Sequence, residues 1–404
     1  MPEWQTPVAH DRDEVLSWLH ADKRDTRAKG RARGSSEGPA DARVAGGGAT
    51  KRRHGHGQLA RAPRIGHAPR GAAIRDVAAR AGVSVATVSR VLNESPLVAE
   101  VTRRRVQTAI GELDYRRSPI AQRLSLGRTQ TLGVIAPFYT QSSVVERLRG
   151  IDDVVGDSSY DLTLFNVETL AQRGRALAGF ARRERVDGVI VISLSLHEAE
   201  VSALEREELA SVLVDVAHPR LPHVATDDVA GGRLAAQYLL SAGHRRIAFV
   251  GYPIDNEFGM ASSARRQRGL QAGLEDAGVP LPQTYVRRGG PGRDAAGWLT
   301  DELLALPQPP TAIFAASDIQ AVGVLAAVER AGLGVAQDVS VLGFDDIDLA
   351  GAIGLTTVRQ PLRASGRRAA QLLLRALGAA DGAPLEPLPE LAIVVRRTVG
   401  APSG

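Results

Sequence analysis

Cysteine is absent from the 404 residues. That excludes a disulfide framework, a cysteine-ligated metal and thiol catalysis, and it suits a reducing compartment. Long apolar runs are missing as well, since no stretch approaches the roughly 18 apolar residues a membrane helix needs. The N-terminus also lacks the apolar core of a secretory signal. A soluble, cytoplasmic protein with no membrane partner is expected. No GxxxxGK(S/T) phosphate loop, GxSxG elbow or HExxH pair occurs. The GGPG stretch at 289–292 lacks the strand–loop–helix spacing of a dinucleotide site and reads as a surface turn. The chain is therefore read as not an enzyme, with no catalytic residue, metal or cofactor assigned.

Hydrophobic residues make up 44% of the chain, enough at this length for two or three folded units. The net charge of +5 is unevenly placed. Residues 1–70 hold 14 basic and 8 acidic residues, residues 71–128 hold 10 and 5, and the remainder holds 26 and 32. A basic end ahead of an acidic body points to nucleic acid at that end. Beyond a short helical pattern at 14–19, residues 1–70 carry too few large apolar side chains to repay ordering, so a disordered basic tail is expected. Lys51, Arg52, Arg53 and His54 could add non-specific phosphate contacts. The plainer reading is a solvated tail, or an upstream stretch outside the natural protein. His54 and His56 are not read as a metal pair, because nothing else in the tail supplies ligands.

The most structured pattern in the basic region lies between Ala73 and Gly127. Val77, Ala78 and Ala81 recur at helical spacing, Gly82 breaks the run, and Val88, Val91 and Leu92 begin a second period after Ser84. Ser84 is a good N-cap. A third amphipathic helix follows, with Val101, Val106, Ala109, Ile110 and Leu113 inward and Arg103, Arg104 and Arg105 outward. Any three-helix bundle shows such periodicity. In a helix-turn-helix, however, the first turns of the second helix enter the major groove, so the outward Val85, Ala86, Ser89 and Arg90 are candidate readers. Ser84, Thr87 and Ser89 are candidate phosphate contacts beside a free helix N-terminus, and Asn93 is a further phosphate candidate.

AGVSVATVSRVLN, followed by ELDYRRSPIAQRLSLGRTQTLGVI, strongly resembles the lactose-repressor (LacI/GalR) family of bacterial transcription regulators. The resemblance implies base contacts from Val85, Ala86 and Arg90. It also implies a hinge helix formed on the operator from Ser118 to Ser125, with Leu124 wedged into the minor groove and Ala121 small enough for two hinges to lie together. Pro119 and Ala99 depart from the family wording: the first suits a helix's first turn, the second leaves the third helix with a weaker cap.

Beyond Gly127, TLGVIAPF, YDLTLFNV, VDGVIVIS, SVLVDVA, RIAFVGY, TAIFAAS and SVLGFDD are short apolar runs separated by helical stretches. An α/β core of parallel sheets with helices on both faces is expected. Ligands collect at strand carboxyl ends, in the loops after Pro137, Asn166, Ser193, Asp215, Gly251, Ser317 and Phe344. AGHRRIAFVG, ASSARRQRGLQAGL, AIFAASDIQAVGVL and DVSVLGFDDIDLA extend the resemblance to about Arg397. This part of the family is similar to periplasmic sugar-binding proteins, with two subdomains joined by three crossovers.

The domains expected are a tail (1–70), a helix-turn-helix (71–117), a hinge and linker (118–130) and an effector-binding and dimerisation core (131–400). Within the core, one subdomain takes 131–226 with 361–378 and the other takes 227–359 with 379–400.

The resemblance carries an effector site onto Arg266, Asp345, Ser317, Asp318, Phe138, Ser142, Ser143, Asp227, Phe344 and Gln360. Read without it, the arginines near 266 could be a solvated helix face, and Asp345 and Asp346 could cap a turn. Aliphatic Val144 and Val145, with Pro291 and Gly292, stand where many members have aromatics. Stacking then falls to Phe138, Tyr139 or Phe344, or the effector is not a typical ring. A homodimeric repressor of a palindromic operator is expected, controlled by a small molecule for which the resemblance implies a sugar-type effector. Its rival is a cytoplasmic solute-binding protein without a regulatory role, against which the intact 83–93 segment argues. No apolar heptad repeat closes the sequence, so a dimer and not a coiled-coil tetramer is expected.

Overall fold

The computed structural model describes residues 72–116, 128–180, 185–254, 258–380, 384–385 and 387–403. The tail with His54 and His56, and the hinge segment with Ala121 and Leu124, lie outside the described residues.

Helices α1 (Ile74–Ala81), α2 (Val85–Leu92) and α3 (Glu100–Glu112) form a small bundle. Its core is Val77, Ala78 and Ala81 from α1, Val88 and Val91 from α2, and Val106 and Ala109 from α3. Gly82 ends α1 in the left-handed region at φ 63°, which a side chain would resist. Two expectations are corrected. Val101 is 74% exposed, because five residues of helix turn it roughly 140° away from the inward Val106. Arg103 and Arg105 are not simply outward. Their guanidinium groups donate to the Ser95 carbonyl at 2.7 Å and the Ala81 carbonyl at 2.5 Å, tying α3 to the earlier helices. At the start of α3, Ala99 makes no side-chain cap hydrogen bond.

After Arg128 the period changes to strand and helix in alternation. The chain runs β1 (Thr131–Pro137), α4 (Ser142–Val155), β2 (Asp161–Val167), α5 (Leu170–Phe180), β3 (Gly188–Ile192), α6 (Glu198–Arg206), β4 (Ala210–Val214) and β5 (His223–Val224). It continues with α7 (Asp228–Ser241), β6 (Ile247–Gly251), α8 (Ser262–Glu275), β7 (Val286–Arg288), α9 (Arg293–Leu304), β8 (Ala312–Ala315) and α10 (Asp318–Arg330). The last elements are β9 (Ser340–Asp345), α11 (Asp348–Ile353), β10 (Thr356–Arg359), α12 (Leu362–Ala376) and β11 (Ala392–Val394).

The strands make a five-stranded parallel sheet ordered β2-β1-β3-β4-β5 and a six-stranded sheet ordered β11-β10-β9-β8-β6-β7. In the second sheet only β11 runs antiparallel to its neighbour. The inner strands are buried on both faces, which is why they read as unbroken apolar runs, whereas the edge strand β2 is largely exposed. In β3, Ile190 and Ile192 enter one core cluster while Val189 and Val191 enter the opposite one. In β8, Ala312 and Phe314 face one side and Ile313 and Ala315 the other. Strands β5, β7 and β10 lie outside the expected apolar runs, because strands of two to four residues carry too little alternation to read. The GGPG stretch is a surface turn leading into α9.

Two close approaches set the helix layers. A Cβ on Gly366 of α12 would lie 2.0 Å from the Arg147 carbonyl oxygen of α4, and one on Gly232 of α7 would lie 2.0 Å from the Arg266 carbonyl of α8. Only glycine lets these helix backbones touch. Each contact also pins the turn that carries a charged side chain of the site below.

Candidate functional site

In the bundle, Ser84 Oγ accepts from the Thr87 N–H at 3.1 Å, so the first turn of α2 is capped. Val85, Ala86 and Arg90 are exposed on one side of α2, while Val88 and Val91 are buried on the other. Thr87 and Ser89 are half-buried, and the exposed Asn93 closes the helix as its C-cap. The three proposed readers thus share a solvent-facing surface with the capped N-terminus, the part of a recognition helix that enters a major groove.

The second site lies where the carboxyl ends of β1, β3, β4 and β9 meet α4, α8 and α10. Backbone geometry marks it. Phe138, Ser193, Asp215, Asp345 and Asp346, each at or just past a strand end, have positive φ of 48°, 52°, 69°, 121° and 57°. The backbone there is held in conformations that cost free energy, a feature concentrated at functional sites. The cleft between the two sheets is narrow, with a free volume of about 50 Å³.

Its walls bring together Ser143, Arg266, Ser317, Asp345 and Gln360 from among the expected residues. They also bring in Arg147, Asp215, Ser193 and Tyr252, which the sequence reading missed. Arg147 stands at helical spacing with Val144, Ile151 and Val155 on the inner face of α4 and is 1% exposed. Its Nη2 donates to Asp215 at 2.5 Å and to the Gln360 carbonyl oxygen at 3.4 Å, and its Nη1 donates to the Ser143 carbonyl at 3.1 Å. Asp215 also accepts from the Ser193 hydroxyl at 2.7 Å. One signal was available in the sequence: Ser193 and Asp215 stand at the ends of apolar strand runs, in loops where ligands collect.

On the opposite wall Arg266 donates from Nε to Asp228 at 2.9 Å and from Nη1 to the Ala316 carbonyl at 2.5 Å, and lies 3.7 Å from Asp345. Gln360 donates to Asp345 at 2.5 Å. Arg265 approaches Asp228 at 3.5 Å and donates to the Asp215 carbonyl at 3.4 Å. The contacts close a ring that crosses the cleft twice: Arg147, Asp215, Arg265, Asp228, Arg266, Asp345, Gln360 and back to Arg147. Formal charge alternates over the six ionisable members, Gln360 being neutral, and the Asp215–Arg265 link is made through the Asp215 backbone carbonyl.

Burial pushes Asp215 up, but the Arg147 charge and the Ser193 hydroxyl outweigh it and hold the carboxyl below the usual range. Asp345 goes the other way: burial raises it to about 6 against the pull of Arg266. Burial with the Asp345 charge nearby raises Asp318 to about 8. Tyr252 is raised to about 12 by burial and donates its hydroxyl to Ser317 at 2.7 Å.

Five expected effector residues stand elsewhere. Phe344 is fully buried, with its ring face 3.7 Å beneath the Arg266 guanidinium, so it supports the arginine and offers no stacking surface. Asp318 is 1% exposed and spends its oxygens on the Thr357 hydroxyl at 2.5 Å and the Ile347 N–H at 2.9 Å, bracing the loop that carries Asp345. Asp227 caps α7 through the Val229 and Ala230 N–H groups, and lines a separate surface groove with Arg233 and Leu391. Phe138 packs edge-on against Phe258, centroids 5.7 Å apart, outside the cleft wall. Ser142 is half-buried in the first turn of α4 and does not line the cleft, whereas its neighbour Ser143 does.

A capped helix-turn-helix followed by two α/β layers around a polar cleft is the layout of a DNA-binding regulator. Residues 73–118 match the family model for bacterial regulatory proteins of the lacI family, and residues 236–399 match a periplasmic binding protein-like domain. The HTH-type transcriptional repressor PurR of Vibrio parahaemolyticus is 31% identical over 335 residues, covering 81% of this chain and 98% of that protein. The ribose operon repressor of Escherichia coli is 33% identical over 308 residues, covering 75% and 92%. Among solved structures, the Lac repressor dimer bound to operator and the anti-inducer ONPF aligns with a TM-score of 0.70 at 25% identity, covering 82% of this chain and all of that one. A LacI family regulator from Enterococcus faecium with bound ribose aligns at 0.60 and 27% identity, covering 68% of this chain and 100% of that one. The chain belongs to the LacI family of bacterial transcription regulators.

Proposed function

We propose that the protein is a homodimeric repressor that binds a palindromic operator in the cytoplasm and is controlled by a small molecule held in the cleft between its two sheets. The observation that carries the DNA reading is the exposed Val85, Ala86 and Arg90 beside the capped start of α2. In this reading Ser84, Thr87, Ser89 and Asn93 contact phosphate, and the hinge with Ala121 and Leu124 folds on the operator centre. The likeness to a repressor dimer bound to operator supports two chains per site. The cleft supports effector control: polar side chains from both sheets meet there, so a ligand that favours one spacing of the sheets shifts a two-state equilibrium. Operator affinity then changes by the ratio of the ligand's affinities for the two states and no more.

Selection of bound sequences from a random DNA pool at about 150 mM salt tests this, because phosphate-only binding is weak there. A palindrome with a fixed centre is expected. Enrichment of single half-sites would remove the dimer, and no enrichment by the folded protein, with or without added effector candidates, would remove the regulator reading.

A further inference from the structure

Two 14-residue helices, α4 and α8, begin at the cleft, with Ser143 of the first and Ser262 of the second on its wall. Neither has a side-chain cap: Gln141 and Ala261 occupy the N-cap positions without a cap hydrogen bond. Uncapped helix starts carry free N–H groups and about half a positive charge each. A second observation points the same way. Arg147, 1% exposed and on the cleft wall, has a buried Nε without a hydrogen-bond partner among the described residues. Its Nη2 is held by one oxygen of Asp215, whose other oxygen turns away to Ser193. Nη2 also reaches the Gln360 side-chain oxygen at 3.4 Å and Nη1 the Ser143 carbonyl, so of the three guanidinium nitrogens Nε alone lacks a partner among the described residues, and a buried donor left unmade is costly.

From this geometry we infer that the effector is a small polyhydroxylated molecule bearing one anionic group, carboxylate or phosphoryl, and that Arg147 selects it by donating from Nε. This rests on the cleft being the effector site. The hydroxyls are served by Asp215, Asp345 and Gln360, which accept, and by the cleft serines. The charge that the anion adds is met by the two uncapped helix starts, which carry no acidic side chain in their first turns. No aromatic stacking face is needed, in keeping with aliphatic Val144 on the wall. With about 50 Å³ free, the ligand enters as the two sheets part, which is the motion that effector control requires.

The test is calorimetric titration of the full chain with gluconate, glucuronate, glucose 6-phosphate and ribose 5-phosphate, against neutral glucose and ribose. Anionic probes are expected to bind at least about tenfold more tightly than their neutral counterparts, as a charge-assisted hydrogen bond in a buried site implies. The carboxylate and phosphoryl arms say which anion fits. Arg147→Met should abolish that preference, while Arg147→Lys, which keeps the charge without the fork, should keep part of it. Equal binding of neutral and anionic probes, no binding of any anionic probe, or an anion preference unchanged in both variants would overturn the inference. The last outcome would trace binding to the basic surface. DNA selection on the same preparation separates the two readings: a selected palindrome with no anion preference retires this one alone.

Discussion

The Arg147–Asp215 pair is the most exacting place to perturb this protein. The Arg147 side chain is 2% exposed and that of Asp215 15%, at 2.5 Å. Removing one partner of a buried pair strands the other and costs about 3–5 kcal/mol. Arg147→Met should fall near the lower end, about 3 kcal/mol, because Asp215 keeps Ser193 and some solvent. Asp215→Asn should cost about 4 kcal/mol, since Arg147 would retain only Ser143, Gln360 and the neutral amide. The double variant strands neither charge and should lie close to the parent protein in stability, giving a coupling energy well above the error of a cycle.

The pair also has a pH signature. Asp215 has a folded pKa below its usual 3.8, so its contribution is present above that value and is lost as pH falls through the depressed folded pKa. Asp215→Asn should therefore flatten the acid limb of the stability profile. Urea unfolding followed by circular dichroism at 222 nm measures all four proteins, Trp298 being too exposed to report on the core. Single-variant losses that simply add in the double, to within about 0.5 kcal/mol, would refute the coupling and with it the closed ring.

Arg90→Ala should relax base preference in a selection experiment; equal weakening on every sequence would make Arg90 a phosphate contact. Gly366→Ala places a methyl 2.0 Å from the Arg147 carbonyl, and the helix shift required should cost about 1–3 kcal/mol in urea unfolding. His244 is buried against Thr311, Ser340 and the Gly400 carbonyl, and burial holds its folded pKa below the usual 6.5. The unfolded chain then binds more protons as pH drops, so stability should fall below about pH 6.5, and His244→Gln should lessen that slope in thermal melts.

Much of this molecule is local and therefore legible in its sequence. The α2 cap, the glycine that ends α1 and the seven core residues of the bundle depend on spacing within a few residues, and periodicity reports them directly. The α/β alternation and most strands follow from apolar runs buried on both faces. Arg266, Asp345, Ser317, Ser143 and Gln360 could be named because the family wording carries them. The tertiary structure decided what those residues do. Spacing puts Arg147 on the inner face of α4, but its partners are decided only when Gly366 presses α12 onto its carbonyl and Asp215 arrives from the end of β4. Phe344 and Asp318 look like ligand contacts until the packing shows each spent on supporting another residue. Spacing along a chain determines which residues share a face. Which charges share a cleft, and which donor is left over, depends on elements distant in sequence, and only the folded arrangement brings them within reach.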